Sequence, residues 1–228
     1  MNIAVVLSGG TGTRLGSEIP KQYIQVKGKM IISYCLDVLE KCTKIDAIHI
    51  VADESWYNVI LEECVSKFKG FSKPGVNRQL SIFNALEDIK KYAKEDDIVI
   101  IHDAARPCVS SKMFEELIHA CKEHDGALPV LPMKDTVYLS EDSKSITSLL
   151  NRSQIFAGQA PEAFLFGKYY DANVRLLPDA IMQINGSTEP EIMAGMDVAM
   201  IPGDEKNFKI TTVQDLERFQ KLVEDGRY

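Results

Sequence analysis

Nowhere in the 228-residue chain do 18 apolar residues run together, which excludes a membrane-spanning helix. Cysteine is scarce and odd in number: Cys35, Cys42, Cys64, Cys108 and Cys121 include no Cys-x-x-Cys pair. That argues against a disulfide framework or a zinc site and points to a reducing cytoplasm. Cys35 and Cys42 lie on a predicted helix and read as small core residues. There is no excess of basic charge. Lys plus Arg total 26 against 33 Asp plus Glu, a formal net charge of −7. A general nucleic-acid binder would show a basic stripe, whereas a small phosphorylated ligand needs only a few local cations. No linker, repeat or charge block interrupts the chain. The strand-like run Asn2 to Leu7 begins at once, so no signal peptide is expected.

What is present suits one α/β domain, residues 1 to 228. The 45% hydrophobic and 26% charged content rules out disorder. A domain of this length buries roughly 70–75% of its unfolded surface and needs no staple. Short apolar runs alternate with longer amphipathic ones. Ile3 to Leu7 reads as a parallel strand covered on both faces. Residues 30 to 42 have helical spacing, Ile45 to Ala52 reads as a strand, and Ser55 to Phe68 as a helix capped by Ser55. Residues 78 to 92 give a helix, Asp97 to Asp103 a strand and Ser111 to Lys122 a helix. Ala127 to Leu131 is a strand whose Pro129 hints at an edge or a bulge. Ala199 to Ile201 and Val213 to Val223 give a last strand and helix. The expected architecture is an open, mostly parallel Rossmann-like sheet with helices on both faces. Residues 132 to 156 break the rhythm: Thr136 to Leu139 and Ser145 to Leu149 flank a polar turn, the pattern of a hairpin arm.

Three clusters carry chemistry. The first strand runs into Ser8-Gly9-Gly10-Thr11-Gly12-Thr13-Arg14-Leu15-Gly16, followed by Pro20-Lys21-Gln22. Four glycines there let backbone N–H groups approach an anion, and Arg14 and Lys21 add cations. A bare strand-to-helix turn would need neither. The loop is not a Walker A motif, and it is not a dinucleotide fingerprint, whose third glycine falls on Leu15. The second cluster is His102-Asp103-Ala104-Ala105-Arg106-Pro107. Asp103 can hold Mg²⁺, which prefers a carboxylate plus phosphate oxygens, and Arg106 can grip a phosphate. The bland alternative is an Asp103–Arg106 loop ion pair, and His102 reads as structural. The third is Lys209 before Thr211-Thr212, either a phosphate contact or a solvated lysine before a helix cap.

These segments, with Gly75 to Ile82, Asp135-Thr136, Asn151-Arg152 and Asn207 to Thr211, resemble in order the CTP-dependent cytidylyltransferases of polyol phosphates. Those enzymes act on methylerythritol 4-phosphate or ribitol 5-phosphate. The resemblance runs from about residue 2 to residue 220. It implies a nucleotidyltransferase-type sheet, a CTP site, Mg²⁺ and a homodimer formed through the arm. It implies that Leu7, Ser8, Gly9, Gly10, Thr11 and Gly12, with Gly75, Arg78, Ser81 and Asp103, hold the nucleotide. Arg14, Lys21 and Lys209 would be the catalytic cations, and Asp103 the metal ligand. Asp103, Ala104, Arg106, Thr136 and Arg152 would bind the polyol phosphate, the last two from the neighbouring subunit.

Two stretches depart from the family pattern, Gln159-Ala160-Pro161-Glu162 and Asn185 to Glu191. Both fall where the acceptor should bind, so they leave CTP use intact and the polyol open. The competing readings are a nucleotidyltransferase using another base or sugar phosphate, and a non-catalytic nucleotide-binding protein.

Overall fold

The computed structural model describes residues 1–10, 19–63 and 66–228. The chain enters strand β1 (Asn2–Leu7) at once. A 3-10 turn at Lys21–Tyr23 and a small antiparallel pair, β2 (Gln25–Val26) and β3 (Lys29–Met30), lead into helix α1 (Ile31–Lys41). There follow β4 (Ala47–Val51), α2 (Tyr57–Glu62), β5 (Phe68–Ser72), α3 (Arg78–Ile89), β6 (Ile98–Asp103), α4 (Ser111–Ala120) and β7 (Gly126–Pro132). Next come β8 (Val137–Leu139), β9 (Ser148–Leu150), β10 (Phe156–Gly158), β11 (Glu162–Leu165) and α5 (Phe166–Val174). The described chain closes with α6 (Glu189–Met193), β12 (Val198–Pro202) and α7 (Val213–Glu224). No described helix is long and apolar enough to cross a membrane.

The main sheet runs β12-β7-β11-β6-β1-β4-β5, with β10 pairing the far half of β7. The pairs β1–β4, β1–β6, β4–β5 and β7–β12 are parallel; β11 is antiparallel to both its neighbours. The chain builds outward from β1 through β4 to β5, then crosses back to place β6 on the other side of β1. In open sheets such a reversal leaves a crevice beyond the carboxyl ends of the strands. Here those ends are Leu7, Val51 and Asp103.

The continuous apolar run of β1 follows from its position. Ala4 and Val6 pack with Leu36 and Leu39 of α1 and Phe114 and Leu117 of α4. Ile3 and Val5 face the other way, onto Ile82 and Leu86 of α3 and Tyr169 of α5. Both faces are therefore dry, and each fully buried Val, Leu or Ile contributes about 1.5–3 kcal/mol.

Several sequence expectations change. The helix expected from Ser55 to Phe68 shrinks to α2, and Phe68–Ser72 pairs with β4 as a strand. Ser55 caps no helix: it lies in a 3-10 turn, Glu54–Trp56, that leads into α2 and is capped by Asp53, which accepts the Ser55 N–H at 3.0 Å. The Tyr57 and Phe71 rings stack at 4.0 Å, so tertiary contact overrides local propensity here. Ser110 caps α4 by accepting the Met113 N–H, and the helix ends at Ala120. Pro129 is neither on an edge nor at a bulge, because β7 is paired on both sides with no register shift. It sits where β7 changes partner from β11 to β10, and its missing N–H falls in that gap; its carbonyl accepts the Gln159 N–H at 2.8 Å. The second arm strand begins three residues late, at Ser148, because Asp142 accepts from the N–H groups of Lys144 and Ser145 and closes a loop.

Three buried titratable groups outside the ion pairs at the strand ends shape the pH dependence of the fold between about pH 4 and 9. Glu191 is fully buried, and neither carboxyl oxygen has a hydrogen-bond partner among the described residues. Burial, with repulsion from Asp125 and Glu162, pushes its pKa up to about 9. Burial pushes His49 and His102 down to about 4. The native state thus keeps the Glu191 proton that the unfolded chain releases above its ordinary 4.5, so this contribution is lost as pH rises toward 9. The histidines act oppositely: the unfolded chain takes up protons below 6.5, so stability falls on acidification. Stability is expected to peak near about pH 6.5, with slopes of up to about 1.4 kcal/mol per pH unit for each proton. Glu191→Gln should flatten the alkaline side. Urea midpoints at pH 6.5 and 8.5 check this, and an unchanged alkaline slope in the variant would contradict it.

Candidate active site

The carboxyl ends of β1, β4 and β6 open into a cleft of about 470 Å³, within the range of small-ligand sites. Its walls are two loops that can approach only through glycine. A Cβ on Gly9 would meet Pro74 Cγ at 2.6 Å, and one on Gly75 would meet Leu80 Cβ at 2.6 Å. Gly10 faces open space.

The first loop is pinned from behind. Gln22 Nε2 donates to the carbonyls of Ser8 and Gly10, each at 2.7 Å, and Tyr23 Oη donates to the Ser8 carbonyl at 2.9 Å. The second loop is fixed by the start of α3. Asn77 caps the helix by accepting the Leu80 N–H at 2.7 Å, and its amide donates to the Ile181 carbonyl. The Ser81 hydroxyl accepts the Gly75 N–H at 2.9 Å and donates to the Asn77 carbonyl.

Charge inside the cleft opposes that of the chain. Among the described lining residues, Lys21, Arg78 and Lys209 stand against one carboxylate, that of Asp103. Lys209 Nζ lies 2.9 Å from Asp103 Oδ2, and Arg78 Nη2 donates to Oδ1 at 3.1 Å. Arg106 Nε stands 3.8 Å from Oδ2. Burial opposes ionisation of Asp103, but Arg78 and Lys209 outweigh it and hold the carboxyl well below the usual range. Lys21 Nζ donates to the Ile210 carbonyl at 2.6 Å, which brings Lys21 beside the segment carrying Lys209. Three cations converging on a cleft in a chain of net charge −7 make a local anion site.

Of the residues singled out from the sequence, Leu7, Gly9, Gly10, Lys21, Gly75, Arg78, Ser81, Asp103 and Lys209 line this cleft. Ser8 and Ala104 are buried behind it, and the Ala104 N–H is spent on the Leu7 carbonyl. Arg106 donates to the Asn207 carbonyl at 2.7 Å from the second rank. The loop ion pair of Asp103 with Arg106 exists, and the carboxylate also faces the cleft. Lys209 is likewise more than a solvated lysine, while Thr211 and Thr212 build the capping box of α7 with Asp215. His102 is buried, with Nε2 3.2 Å from the Arg106 carbonyl. Thr136 and Arg152 lie on the arm and do not line the cleft of their own chain. Thr11, Gly12 and Arg14 lie outside the described residues.

The supporting residues Gln22, Tyr23 and Asn77 carried no assigned role in the sequence. Asn77 was findable as an asparagine opening an amphipathic run. Gln22 was not, since only the fold shows where its amide points.

A divalent cation fits Asp103 on donor chemistry. A carboxylate offers about four lone-pair sites, and two take the hydrogen bonds of Arg78 and Lys209. Mg²⁺ commonly needs only one or two carboxylates, with phosphates and water completing its shell. Among the described residues no cluster of three or more acidic, His or Cys side chains forms a dedicated metal cage.

The family profile described as "IspD: 2-C-methyl-D-erythritol 4-phosphate cytidylyltransferase" matches residues 2–225. A ribitol-5-phosphate cytidylyltransferase of Lacticaseibacillus paracasei is 31% identical over 231 residues, covering 99% of each chain. A 2-C-methyl-D-erythritol 4-phosphate cytidylyltransferase of Clostridium acetobutylicum is 33% identical over 229 residues, covering 98% of this chain and 97% of that one. The crystal structure of the Francisella tularensis 2-C-methyl-D-erythritol 4-phosphate cytidylyltransferase superposes with a TM-score of 0.81 at 26% identity, covering 96% of this chain and 99% of that one. The strand-end cleft, its glycine-walled loops and its converging cations thus sit in a chain that belongs to the IspD cytidylyltransferase family.

Proposed function

We propose that this chain transfers the cytidylyl group of CTP to a polyol phosphate, releasing pyrophosphate and forming a CDP-polyol. The observation that carries this is the convergence of Lys21, Arg78 and Lys209 on a strand-end cleft that has no nucleophile–base pair among its described lining residues. The acceptor needs no general base. A phosphate monoester has a second pKa of about 6 and is largely a dianion near neutrality. Its oxygen forms the new bond to the α-phosphorus of CTP as the α–β bridging bond breaks, and the electron pair leaves on pyrophosphate. The work of the protein is to hold two repelling anions in line and to neutralise the departing charge.

In this reading the loop from Leu7 to Gly12, with Gly75, Arg78 and Ser81, holds the nucleotide. Arg14, Lys21 and Lys209 neutralise the phosphates. Arg106, Ala104 and Asp103 border the acceptor. Asp103 would hold Mg²⁺, which when bound supplies charge neutralisation on the triphosphate. Residues 1 to 228 act as one nucleotidyltransferase domain, with an arm at about 132–156. Two copies pair through that arm, so that Thr136 and Arg152 complete the neighbour's acceptor site. The four described cysteines are free thiols, which supports a reducing cytoplasm.

The test is pyrophosphate release with each NTP in turn, with and without 2-C-methyl-D-erythritol 4-phosphate and ribitol 5-phosphate. Turnover is expected with CTP and one of these acceptors, in the presence of Mg²⁺. Lys21→Ala should lower kcat at least ~100-fold, the scale for losing one preorganised charge donor. Near-normal turnover by that variant would refute the role of Lys21. Turnover with another base only, or nucleotide binding without turnover, would refute the activity.

A further inference from the structure

The two stretches that depart from the family pattern meet in space at Glu162. Its carboxylate is shielded behind the cleft wall and accepts from two hydroxyls: Ser187 Oγ at 2.8 Å on Oε1 and Thr188 Oγ1 at 2.6 Å on Oε2. The same Ser187 hydroxyl accepts from Arg78 Nη1 at 2.5 Å, so it relays Arg78 to Glu162. Ser187 is fully buried, and its carbonyl takes the Tyr169 hydroxyl at 2.8 Å. Tyr169 Oη in turn accepts from Gln79, the residue after Arg78. Arg78 Nη2 also lies 4.0 Å from Glu162 Oε1 while donating to Asp103 on its other side. Its guanidinium is therefore clamped between Asp103 at the cleft and a Ser187–Glu162 pair behind it. A planar fork gripped from two sides is held in one orientation.

Charge gives Glu162 a second consequence. Among the described residues, the ion-paired group of Arg78, Arg106 and Lys209 with Asp103 and Glu162 sums to +1 and would sum to +2 without the Glu162 charge, beside a further cation, Lys21. Burial raises the Glu162 pKa, while Arg78 and the two hydroxyl donors oppose that rise.

We infer that Glu162 is a positioning residue of this cleft: through the Ser187 hydroxyl it locks Arg78 against Asp103, and through its charge it weakens the hold of the cleft on pyrophosphate. The kinetic half of this inference rests on the cytidylyltransferase reading above; the binding half does not.

Two substitutions separate the two effects. Glu162→Gln is isosteric, keeps an acceptor for Ser187 and removes the charge. Ser187→Ala keeps the charge and cuts the relay. Pyrophosphate affinity is measured by calorimetry, kcat by pyrophosphate release, and thermal melting serves as the folding control. Glu162→Gln should bind pyrophosphate about threefold to tenfold more tightly, as expected when one nearby negative charge is lost in a partly shielded site. Ser187→Ala should leave that affinity within about twofold and lower kcat by about 10–100-fold, the scale for a misplaced reacting or binding group. Unchanged or weaker pyrophosphate binding by Glu162→Gln overturns the charge role. Wild-type kcat in Ser187→Ala overturns the relay. If Glu162→Gln fails to fold, Glu162→Ala with the same pyrophosphate readout decides the charge role, and Ser187→Ala decides the relay. Should the wild type bind pyrophosphate with the expected order among variants yet turn over no CTP, the activity reading falls and the charge role stands.

Discussion

Asp103→Asn is expected to lower cytidylyl transfer by about 10³-fold and to destabilise the protein at the same time. The two effects share one cause. The Asp103 side chain is only 10% exposed and is the common counter-ion of Arg78, Lys209 and Arg106. An amide of the same size keeps only one acceptor oxygen, so either Arg78 or Lys209 would face an NH2 donor, and the shared negative charge is lost. Removing one partner of a fully buried pair costs about 3–5 kcal/mol. Arg78 and Lys209 are 31% and 33% exposed, so water recovers part of that, and we expect about 2–4 kcal/mol. For a chain of this length that lowers Tm by roughly 4–16 °C. Because the folded carboxyl is held below its ordinary pKa, its contribution in the wild type is present above about pH 4 and fades on acidification. Asp103→Asn should lack that acid-side loss. The rate falls because Arg78 and Lys209 lose the group that aims them, and because the proposed Mg²⁺ ligand is gone. Rate against Mg²⁺ concentration, with melting curves at matched pH, checks both parts. Activity within tenfold of wild type with the same Mg²⁺ dependence would reduce Asp103 to a loop ion pair.

Mixing two inactive variants, Lys21→Ala and Arg152→Ala, is expected to restore activity. Lys21 lines the cleft, whereas Arg152 sits in a 3-10 turn on the arm and donates to the Lys134 carbonyl at 2.8 Å. In the described chain β8 and β9 pair only with each other. Tyr138, Leu139, Ile146 and Leu149 are exposed along this hairpin, and Phe156 just beyond it. A lone two-stranded hairpin is marginal in water, and its open edges invite pairing. Association with the same arm of a second copy would cover both, giving an isologous dimer. If each site takes its loop from one chain and its arm from the other, a mixed dimer has one doubly defective site and one intact site. Half of randomly exchanged dimers are mixed, so about a quarter of wild-type activity should return. Arg152→Ala alone should raise the KM for the acceptor far more than that for CTP. A monomer in solution, or no recovery after proven subunit exchange, would refute the shared site.

Much of this was legible along the chain because the signals are local. β1, α1, β6 and α4 each carry a periodicity that survives folding, since both faces of the sheet are covered and nothing competes. The glycine loop, Lys21, Asp103 and Lys209 stand at the ends of such elements, where residue type alone suggests an anion site. Elements whose partners are distant in sequence were less legible. β5 had no reading of its own beyond Phe68, the last residue of the expected helix, because its strand identity comes from pairing with β4 and from stacking of Phe71 on Tyr57. β11 and α5 had no signal, as a four-residue antiparallel strand between β6 and β7 has meaning only once those strands exist.

The sequence by itself determined the alternating α/β order, the apolar strands and the chemical types gathered at their ends, because these depend on neighbours within a few turns. Only the tertiary structure decided the charge partners. Asp103 meets Arg78 across 25 residues and Lys209 across 106, and Arg78 meets Ser187 across 109. Spacing along the chain carries no trace of such pairs, since the crossovers of the sheet, not local periodicity, bring them within hydrogen-bonding reach.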